Sequence, residues 1–473
     1  MAGRLNIKFA VMADPHYYSN KLGTSGTAYE RRSGSDQKML KETPGIVKAA
    51  LNEVLRSPAE FLLIAGDLTN DGERCSHEEI RELLYEFRKH KPVYVITATH
   101  DWCCDGNPRR YDGDSVFHDV ETLPVGELRD FYKDFGAGEA VSEYFTHLNN
   151  SSYVVRPCEG VSVFCLNDDQ NGEGGSGYSD EHFEWINEQT KKALERGDKV
   201  FGIQHHHLFL TEFQRVINGK GSIEYRQKQA EKFADIGFPV IFSGHSHMQS
   251  IRRVVSDRGN SFYEVNVASI SGYPAPICYC TLTDSGMDIH TERLEKFSYN
   301  GVEYTNKAFE EHATALFRNV LDAAAANEKE RFEALLEAVS VSHEKADKIW
   351  IFARPALKKL SKMTVGEAAR LLNFISFGKA VDKAAAKEVK EIKLTDVIFE
   401  TFNSILDGSL KKHERGSAYY TVFTDALGFP LKAVEKLHIK NEDLIRRLTH
   451  LSAAADELMT GGALDNNSYF IRF

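Results

Sequence analysis

The sequence predicts an α/β protein whose first 300 residues form layers of strands and helices, followed by an all-helical region. Two observations carry this prediction. Short runs rich in Val, Ile and Phe alternate with helix-like segments up to about residue 300, a pattern typical of α/β layers. Beyond that point the apolar residues follow helical spacing. We therefore predict a first domain at residues 1–300 and a helical domain at residues 301–473.

The elements of the first domain are predicted from apolar runs and from the helix-like segments between them. The predicted strands are Ile7–Ala13, Phe61–Ala65, Val93–Thr97, Val161–Leu166, Val200–Ile203 and Val240–Phe242. The predicted helices are Gly45–Leu55, Ser76–Arg88, Leu128–Phe135, Glu181–Glu195 and Tyr225–Phe233. Ser76 and Glu79 have the spacing of a capping box, and Gly197 follows the fourth helix as a stop signal. From Ser250 to Ile289 the pattern predicts strands without helices, as in an antiparallel portion.

Helices are predicted throughout the second domain. Apolar residues with helical spacing run from Ala313 to Leu321 and from Phe332 to Val339. Thr364 and Glu367 have the spacing of a second capping box, and the last long helix is predicted at Glu442–Met459. Lys and Glu on the opposite faces indicate solvated helices. This domain either docks on the first domain, caps its cleft, or forms a homodimer interface.

Composition and charge exclude several classes of partner. The net charge of −11 at pH 7 argues against a surface for nucleic acid or acidic membrane, because a long polyanion would be repelled. A small phosphorylated substrate is compatible with this net charge, since metal ions can supply local positive charge. Seven widely spread cysteines without a CxxC pair fit the reduced thiols of a cytosol. No signal-peptide segment and no membrane-spanning run is evident, so we expect a cytoplasmic protein.

Motifs rich in Asp and His follow five of the predicted strands. They are Asp14-Pro15-His16, Gly66-Asp67, Thr99-His100-Asp101, His205-His206-His207 and Gly244-His245-Ser246-His247. In open α/β sheets, residues just past the carboxyl ends of strands line one crevice. Carboxylates and imidazoles that meet there suit two divalent transition metals, which together can attack phosphate esters. Glycine at positions 66 and 244 lets the backbone turn sharply beside the ions.

The order and spacing of these motifs resemble the calcineurin-like metallophosphoesterase signature, over about residues 5–290. Residues 66–72 and 35–39 also resemble a bacterial subgroup related to class III cyclic-nucleotide phosphodiesterases, in which a helical C-terminal domain follows the catalytic one. The resemblance implies a four-layer α/β/β/α sandwich of two mixed sheets. It also implies a metal-dependent phosphoric ester hydrolase with two divalent ions, which are Mn, Fe or Zn.

The resemblance further implies roles for individual residues. The implied metal ligands are Asp14, His16 and His247 for the first ion, Asp67 as the bridge, and His205 and His245 for the second ion. A hydroxide between ions about 3.5–4 Å apart is the implied nucleophile. His100 then neutralises phosphoryl charge or protonates the leaving alkoxide, with Asp101 or a backbone group orienting its ring. His205 is preferred to His206 as the ligand because it directly follows the strand, and His206 is then predicted to contact the substrate.

One position departs from the family pattern and keeps alternatives open. Where the family has Gly-Asn-His-Asp, this chain has Ala98-Thr99-His100-Asp101, so the amide oxygen that ligates the second metal and contacts phosphate is missing. Thr99 offers only a shorter hydroxyl, which predicts a weaker second site, an extra water, or compensation by another residue. Thr99 is still predicted to contact the substrate, as His206 is.

Three functions remain open from the sequence. They are a phosphodiesterase on a small diester such as a cyclic nucleotide, a phosphomonoesterase on a nucleotide or sugar phosphate, and a non-catalytic ligand-binding scaffold. The scaffold is the alternative that Thr99 favours. A nuclease is disfavoured by the acidic charge and by the lack of a basic stripe with interleaved aromatic residues.

Overall fold

The computed structural model describes most of the chain, namely residues 5–169, 176–337, 347, 350, 351, 359, 362–409, 413–461 and 464–473. Val339, the end of one predicted helical stripe, lies outside these residues. The described chain forms two compact units, each built from separate stretches of sequence. Unit 1 comprises Met1–Leu208, Lys228–Ala313 and Asn466–Phe473, and unit 2 comprises Phe209–Gln227 and Thr314–Asp465. The domain division at residue 300 stays a prediction.

The strands lie mostly in the first two thirds of the chain. In the described residues they are β1 Asn6–Met12, β2 Phe61–Ala65, β3 Val93–Ile96, β4 Arg110–Asp112, β5 Ser115–Phe117, β6 Ser142–Phe145, β7 Ser151–Val155, β8 Val161–Cys165, β9 Lys199–Ile203, β10 Val240–Ser243, β11 Ser250–Val255, β12 Ser261–Asn266, β13 Pro276–Thr283, β14 Gly286–Arg293, β15 Lys296–Tyr299, β16 Val302–Thr305 and β17 Ser468–Arg472.

Helices separate the early strands and then dominate the chain after residue 305. The α-helices of the described residues are α1 Thr27–Ser33, α2 Thr43–Arg56, α3 Arg74–Arg88, α4 Val125–Phe131, α5 Asp180–Glu195, α6 Glu212–Ile217, α7 Lys220–Asp235, α8 Asn306–Ala326, α9 Lys329–Glu337, α10 Val365–Ile375, α11 Lys383–Glu388, α12 Leu394–Asp407, α13 Ala418–Lys436 and α14 Glu442–Thr460. Short 3-10 helices occupy Asn20–Leu22, Leu40–Glu42, Lys133–Phe135 and Ala137–Glu139.

Unit 1 is built on two mixed sheets. The first sheet has the strand order β17-β14-β13-β1-β2-β3, and the second has the order β11-β12-β10-β9-β8-β7-β6. The ring of Phe9 on β1 stacks on that of Phe201 on β9, with centroids 4.7 Å apart, which places the core between the sheets. Helix α3 contacts β3 of the first sheet, and α5 contacts β9 of the second. The predicted sandwich of two mixed sheets flanked by helices is confirmed.

The strands that precede the Asp and His motifs are buried and run in parallel. In β2, β3 and β10 every residue is buried, and such continuous apolar runs are typical of strands covered on both faces. Strands β1, β2 and β3 are parallel neighbours in the first sheet, and β8, β9 and β10 are parallel neighbours in the second. Their carboxyl ends therefore meet at one edge of each sheet.

One predicted helix cap is wrong and the other is confirmed. Helix α3 begins at Arg74, and the buried Ser76 accepts a hydrogen bond from the backbone N–H of Ser19 at 3.1 Å. A contact 57 residues away in sequence thus replaces the local cap. The second capping box forms as predicted, because Thr364 Oγ1 accepts from the N–H of Glu367 at 3.2 Å and Glu367 Oε2 accepts from the N–H of Thr364 at 2.9 Å.

Helices α8 to α14 confirm the predicted helical C-terminal region. The structure adds a strand that the sequence did not predict, since β17 pairs antiparallel with β14 at the edge of the first sheet. Its buried Ile471 alternates with the exposed Phe470 and Arg472, but five residues after a long helix give too short a pattern to interpret. No helix in the described part of the chain combines the length and the apolarity that crossing a lipid bilayer requires.

Candidate metal centre

Hydrogen bonds tie the motif loops to one another at the strand ends. The N–H of Asp14 donates to the carbonyl of Gly66 at 3.2 Å, and the N–H of Gly244 donates to the carbonyl of His205 at 3.0 Å. The N–H of His245 donates to Asp14 Oδ1 at 3.0 Å. Because Asp14 follows a strand of the first sheet and His245 follows one of the second, this bond fixes the two sheet edges relative to each other.

Eight side chains, which we call the donor cluster, converge at these edges. They form four overlapping groups, in each of which the possible ligand atoms lie within 4.8 Å of one another. The groups are Asp14, His16 and His247; Asp14, Asp67 and His205; His16, Asp67 and His100; and His205, His206 and His245. The structure thus brings together all six residues predicted as ligands, whose individual roles stay a prediction.

One half of the donor cluster is formed by Asp14, His16 and His247. The Nε2 atoms of His16 and His247 lie 3.0 Å apart, and Asp14 Oδ1 is 3.8 Å and 3.4 Å from them. The Nδ1 of His247 lies 3.2 Å from Gln37 Oε1, which can hold its proton there and leave the Nε2 lone pair directed at the cluster. Two imidazole nitrogens and a carboxylate oxygen at this spacing suit a divalent transition metal.

Asp67 lies between the two halves. Its Oδ2 is 3.0 Å from Nε2 of His205 and 3.8 Å from Nε2 of His16, the position that a bridging carboxylate requires. The Nδ1 of His205 donates to the carbonyl of Ala65 at 2.9 Å. Its Nε2 is the nitrogen left for a metal, and among the described residues this buried atom makes no hydrogen bond of good geometry. Coordination of a metal would satisfy this atom, so the residues fit a pair of divalent ions.

The pKa values of Asp67 and His16 shift towards the forms that bind metals, whereas the Asp67 carboxylate outweighs burial and raises the pKa of His205 well above 6.5. Burial opposes ionisation of Asp67, but the imidazoles of His205 and His100 hold its pKa well below the usual value. Burial and the charge of Lys38 lower the pKa of His16 well below 6.5. A charged carboxylate at Asp67 and a neutral imidazole at His16 are thus the stable forms at neutral pH, and both are the forms that bind metals.

His206 lies inside the second half of the donor cluster. Its ring centroid is 4.4 Å from that of His245 and 5.0 Å from that of His205. Asp168, just past the end of β8, accepts from the backbone N–H groups of His205 at 3.1 Å and His206 at 3.0 Å. Sequence reasoning missed Asp168, although it follows the predicted strand at residues 161–166 in the same way as the other motifs follow theirs.

His100 is oriented by a backbone group, one of the two predicted alternatives. Its Nδ1 is hydrogen-bonded to the carbonyl of Asn70 and lies 3.6 Å from Asp71 Oδ1. Its backbone N–H donates to Asp67 Oδ1 at 3.0 Å. Burial lowers the pKa of His100, but the carboxylates of Asp67 and Asp71 more than offset this, so the net shift is upward. With Nδ1 engaged, Nε2 is the nitrogen left for a substrate.

A model of the calcineurin-like phosphoesterase family matches residues 7–249, which is more than half of the chain and includes the whole donor cluster. The chain belongs to the calcineurin-like phosphoesterases. It is therefore a metal-dependent phosphoric ester hydrolase, and two divalent metal ions are the cofactor of its family, as predicted. The narrower resemblance to a bacterial subgroup stays a prediction.

Several solved structures resemble this phosphoesterase at low sequence identity. A dimetal phosphatase from Danio rerio is 10% identical, with 63% of this chain and 99% of that chain covered and a TM-score of 0.39. A purple acid phosphatase from yellow lupin seeds is 10% identical, with 64% and 53% covered and a TM-score of 0.38. An NAD nucleotidase from Haemophilus influenzae is 10% identical, with 77% and 62% covered and a TM-score of 0.34. This chain thus covers only part of the length of the lupin phosphatase and of the nucleotidase. No curated protein matches it.

Asp101 does not orient His100 in the phosphoesterase, which corrects its predicted catalytic role. Its carboxylate is fully buried and accepts hydrogen bonds from the N–H groups of Ala98 and Thr69, both at 2.8 Å. It also accepts from Thr69 Oγ1 at 3.1 Å. Burial and the nearby charge of Asp67 raise its pKa. Asp101 is therefore a positioning residue that joins the loops after β2 and β3.

Thr99 stands partly exposed beside the donor cluster of the phosphoesterase. Its carbonyl accepts a hydrogen bond from the N–H of Cys104 at 3.1 Å, which holds Thr99 in the loop after β3. The predicted contact of Thr99 with the substrate stays a prediction.

The backbone of the phosphoesterase adopts left-handed angles at five of the six predicted ligands. The φ values are 52° at Asp14, 43° at His16, 51° at Asp67, 68° at His245 and 54° at His247. Residues other than glycine are uncommon in this region, although Asp and His are enriched there. Each such residue carries a conformational cost on the order of 1 kcal/mol, and such residues cluster at functional sites.

Glycine is required at two positions beside the ligands of the phosphoesterase, as the motifs predict. Gly66 has a φ of 85°, and a Cβ there would lie 2.8 Å from Nδ1 of His205. A Cβ on Gly244 would lie 2.3 Å from Asp14 Oδ2. Close packing of backbone against the donor atoms therefore excludes any side chain at either position.

Proposed function

We propose that this phosphoesterase is a phosphodiesterase that hydrolyses a small phosphate diester, such as a cyclic nucleotide. The observation that supports a diester is the pairing of the cationic side chains next to the donor cluster. Arg32 Nη2 lies 2.8 Å and Lys38 Nζ lies 3.7 Å from Asp36 Oδ2. Arg109 Nη1 lies 3.6 Å from Asp71 Oδ2. Each of these three cations is therefore already paired with a carboxylate.

The charge of the substrate decides between a diester and a monoester. A phosphate monoester carries close to two negative charges at neutral pH, because its second pKa is about 6, whereas a diester carries one. A dianion would need a cation in addition to the metal ions. Since the cations around the cluster are paired, the site suits the singly charged diester better than a nucleotide or sugar monophosphate.

The residues of the site have different roles in the proposed hydrolysis. Two bound divalent ions would neutralise phosphoryl charge and lower the pKa of a water molecule. Asp14, His16, His247, Asp67, His205 and His245 are the residues that would hold them. His100 donates a proton from Nε2 to the leaving alkoxide, because its Nδ1 is fixed by the Asn70 carbonyl. Asp101 keeps the loop that carries His100 in place.

Turnover of two chromogenic substrates tests the proposal. With Mn²⁺, Zn²⁺ or Fe²⁺ added in separate assays, we expect kcat/KM for bis-p-nitrophenyl phosphate to exceed that for p-nitrophenyl phosphate at least about tenfold, which corresponds to about 1.4 kcal/mol of transition-state preference. A higher value for the monoester would contradict the diester proposal and favour a phosphomonoesterase. If neither ester is hydrolysed while two ions are bound, the proposed catalytic function is wrong.

The change His100→Ala is expected to lower kcat about 10²–10⁴-fold while the metal content stays at the wild-type value. The loss should be larger for a cyclic nucleotide than for bis-p-nitrophenyl phosphate, because an alkoxide needs a proton to leave and p-nitrophenolate does not. Steady-state rates on both substrates measure the difference. His290→Ala, an exposed histidine on β14, is the control and should match the wild type. An equal loss on both substrates would contradict proton donation by His100.

A further inference from the structure

We propose that His206 is a third imidazole ligand of the second metal ion and replaces the amide ligand that Thr99 cannot provide. The proposal concerns the same two-ion centre as the proposed function and rests on it to that extent. Three features of the described residues support it: the convergence of three imidazoles, the way the chain turns after β9, and the carboxylate behind His206.

The first feature is the spacing of the donors. The possible ligand atoms of His205, His206 and His245 lie within 4.8 Å of one another. Three nitrogens that bind one ion at about 2.0–2.1 Å lie about 3–4 Å apart. Small rotations of the three rings are therefore enough to place one ion between them. Because His205 also contacts Asp67 at 3.0 Å, this ion would share the bridging carboxylate.

The second feature is that two successive residues face the same point. In a strand, consecutive side chains point to opposite faces, so His205 and His206 could not both reach one ion. The chain bends after β9, and Gln204 Nε2 donates to the carbonyl of His206 at 2.6 Å. Tyr178 donates from its hydroxyl to Gln204 Oε1 at 2.8 Å. This chain of hydrogen bonds holds the bend that directs both rings into the cluster.

The third feature is a buried carboxylate that contacts both the backbone and the ring of His206. Asp168 Oδ2 lies 3.4 Å from Nδ1 of His206, and Asp168 accepts from the backbone N–H groups of both His205 and His206. A carboxylate at the far nitrogen of a histidine is the usual support of a metal-binding imidazole, since it fixes the ring and its tautomer. It leaves Nε2 of His206 as the ligand atom.

The replacement has a consequence for the choice of metal. Thr99 has a side chain one bond shorter than asparagine, so its hydroxyl reaches less far towards the ion than the amide oxygen that it replaces. Three imidazoles and one carboxylate are a softer donor set than two imidazoles, an amide oxygen and a carboxylate. Imidazole suits Zn and Fe, whereas oxygen donors suit Mn and Mg. The second site should therefore prefer Zn²⁺ or Fe²⁺ to Mn²⁺.

Metal content and affinity of purified full-length variants test the proposal independently of activity. We expect two zinc ions per wild-type chain by mass spectrometry of the metals, and one in His206→Ala. The second dissociation constant should rise at least about tenfold in His206→Ala, and about 10–100-fold is typical for loss of a supporting partner such as Asp168→Asn. Adding Thr99→Asn to His206→Ala should restore the second ion. His207→Ala, the neighbouring imidazole, is the matched control and should keep both ions.

Each outcome decides the proposal. Two ions with wild-type affinity in His206→Ala would overturn it, and so would loss of both ions, because His206 is not a ligand of the first ion. If Thr99→Asn does not restore the second ion to His206→Ala, the inference that His206 replaces the amide ligand is wrong. If circular dichroism shows that His206→Ala is unfolded, His206→Gln provides the same measurement. A wild-type protein that holds two ions but hydrolyses no ester would contradict the proposed function alone, while one that holds fewer than two would contradict this proposal.

Discussion

Replacing Asp67 by asparagine is expected to lower kcat/KM for phosphate diesters by more than about 10³-fold. Loss of one preorganised electrostatic group costs about 10²–10³-fold, and Asp67 serves both halves of the donor cluster. Its Oδ2 lies 3.0 Å from Nε2 of His205 and 3.8 Å from Nε2 of His16. Asparagine keeps the shape but removes the charge that would hold two cations together. Steady-state turnover of bis-p-nitrophenyl phosphate and the metal content of the same sample measure the effect.

The matched control for this change is Asp288→Asn, which removes a carboxylate from an exposed position on β14. It should have wild-type activity and metal content, because it lies on the sheet surface and not at the strand ends. An Asp67→Asn variant that keeps two ions and more than about a tenth of the wild-type turnover would show that Asp67 does not bridge the ions.

Gly244→Ala is expected to lower activity about 10²-fold or more and to lower the free energy of unfolding by about 1–3 kcal/mol. Its Cβ would lie 2.3 Å from Asp14 Oδ2 and 3.0 Å from Ala13 Cβ, so either Asp14 or the loop after β10 must move. Overpacking a tight site costs about 1–3 kcal/mol, and a misplacement of about 1 Å at a catalytic site can cost about 10²-fold in rate. Urea unfolding and turnover measure the two effects.

Gly221→Ala provides the comparison for Gly244→Ala. Nothing lies within 4 Å of a Cβ at Gly221, and the residue is inside α7, where alanine is favoured over glycine by up to about 1 kcal/mol. That variant should be as stable as the wild type or slightly more stable, with unchanged turnover. A Gly244→Ala protein with wild-type stability and metal content would show that the space between β10 and Asp14 can accommodate a methyl group.

The strands and the positions of the motifs could be predicted because both depend on local sequence. Phe61–Ala65 was predicted with its observed bounds, and β9 and β10 differ from their predicted bounds by one residue at one end. Buried parallel strands need continuous apolar runs, and such runs are visible without any knowledge of their partners. Once the strands are located, the residues that follow them are placed at the sheet edge by topology alone.

The contacts that support the donor cluster could not be predicted, because they join loops that are distant in sequence. Asp101 is next to His100 in the chain, yet its carboxylate binds backbone N–H groups of Ala98 and Thr69 instead of the imidazole. Ser76 has the local pattern of a cap but bonds to Ser19. Hydrogen-bond partners in irregular loops depend on three-dimensional proximity, which cannot be predicted from the spacing of residues in the sequence.

The left-handed backbone angles at five predicted ligands imply that selection for heat resistance and selection for catalysis will act in opposite directions on these positions. Glycine adopts such angles without steric cost, so exchanging His16 or His247 for glycine relieves strain in the fold while it removes a donor atom. A library screened only for survival at high temperature should therefore accumulate inactive proteins with substitutions at these ligand positions.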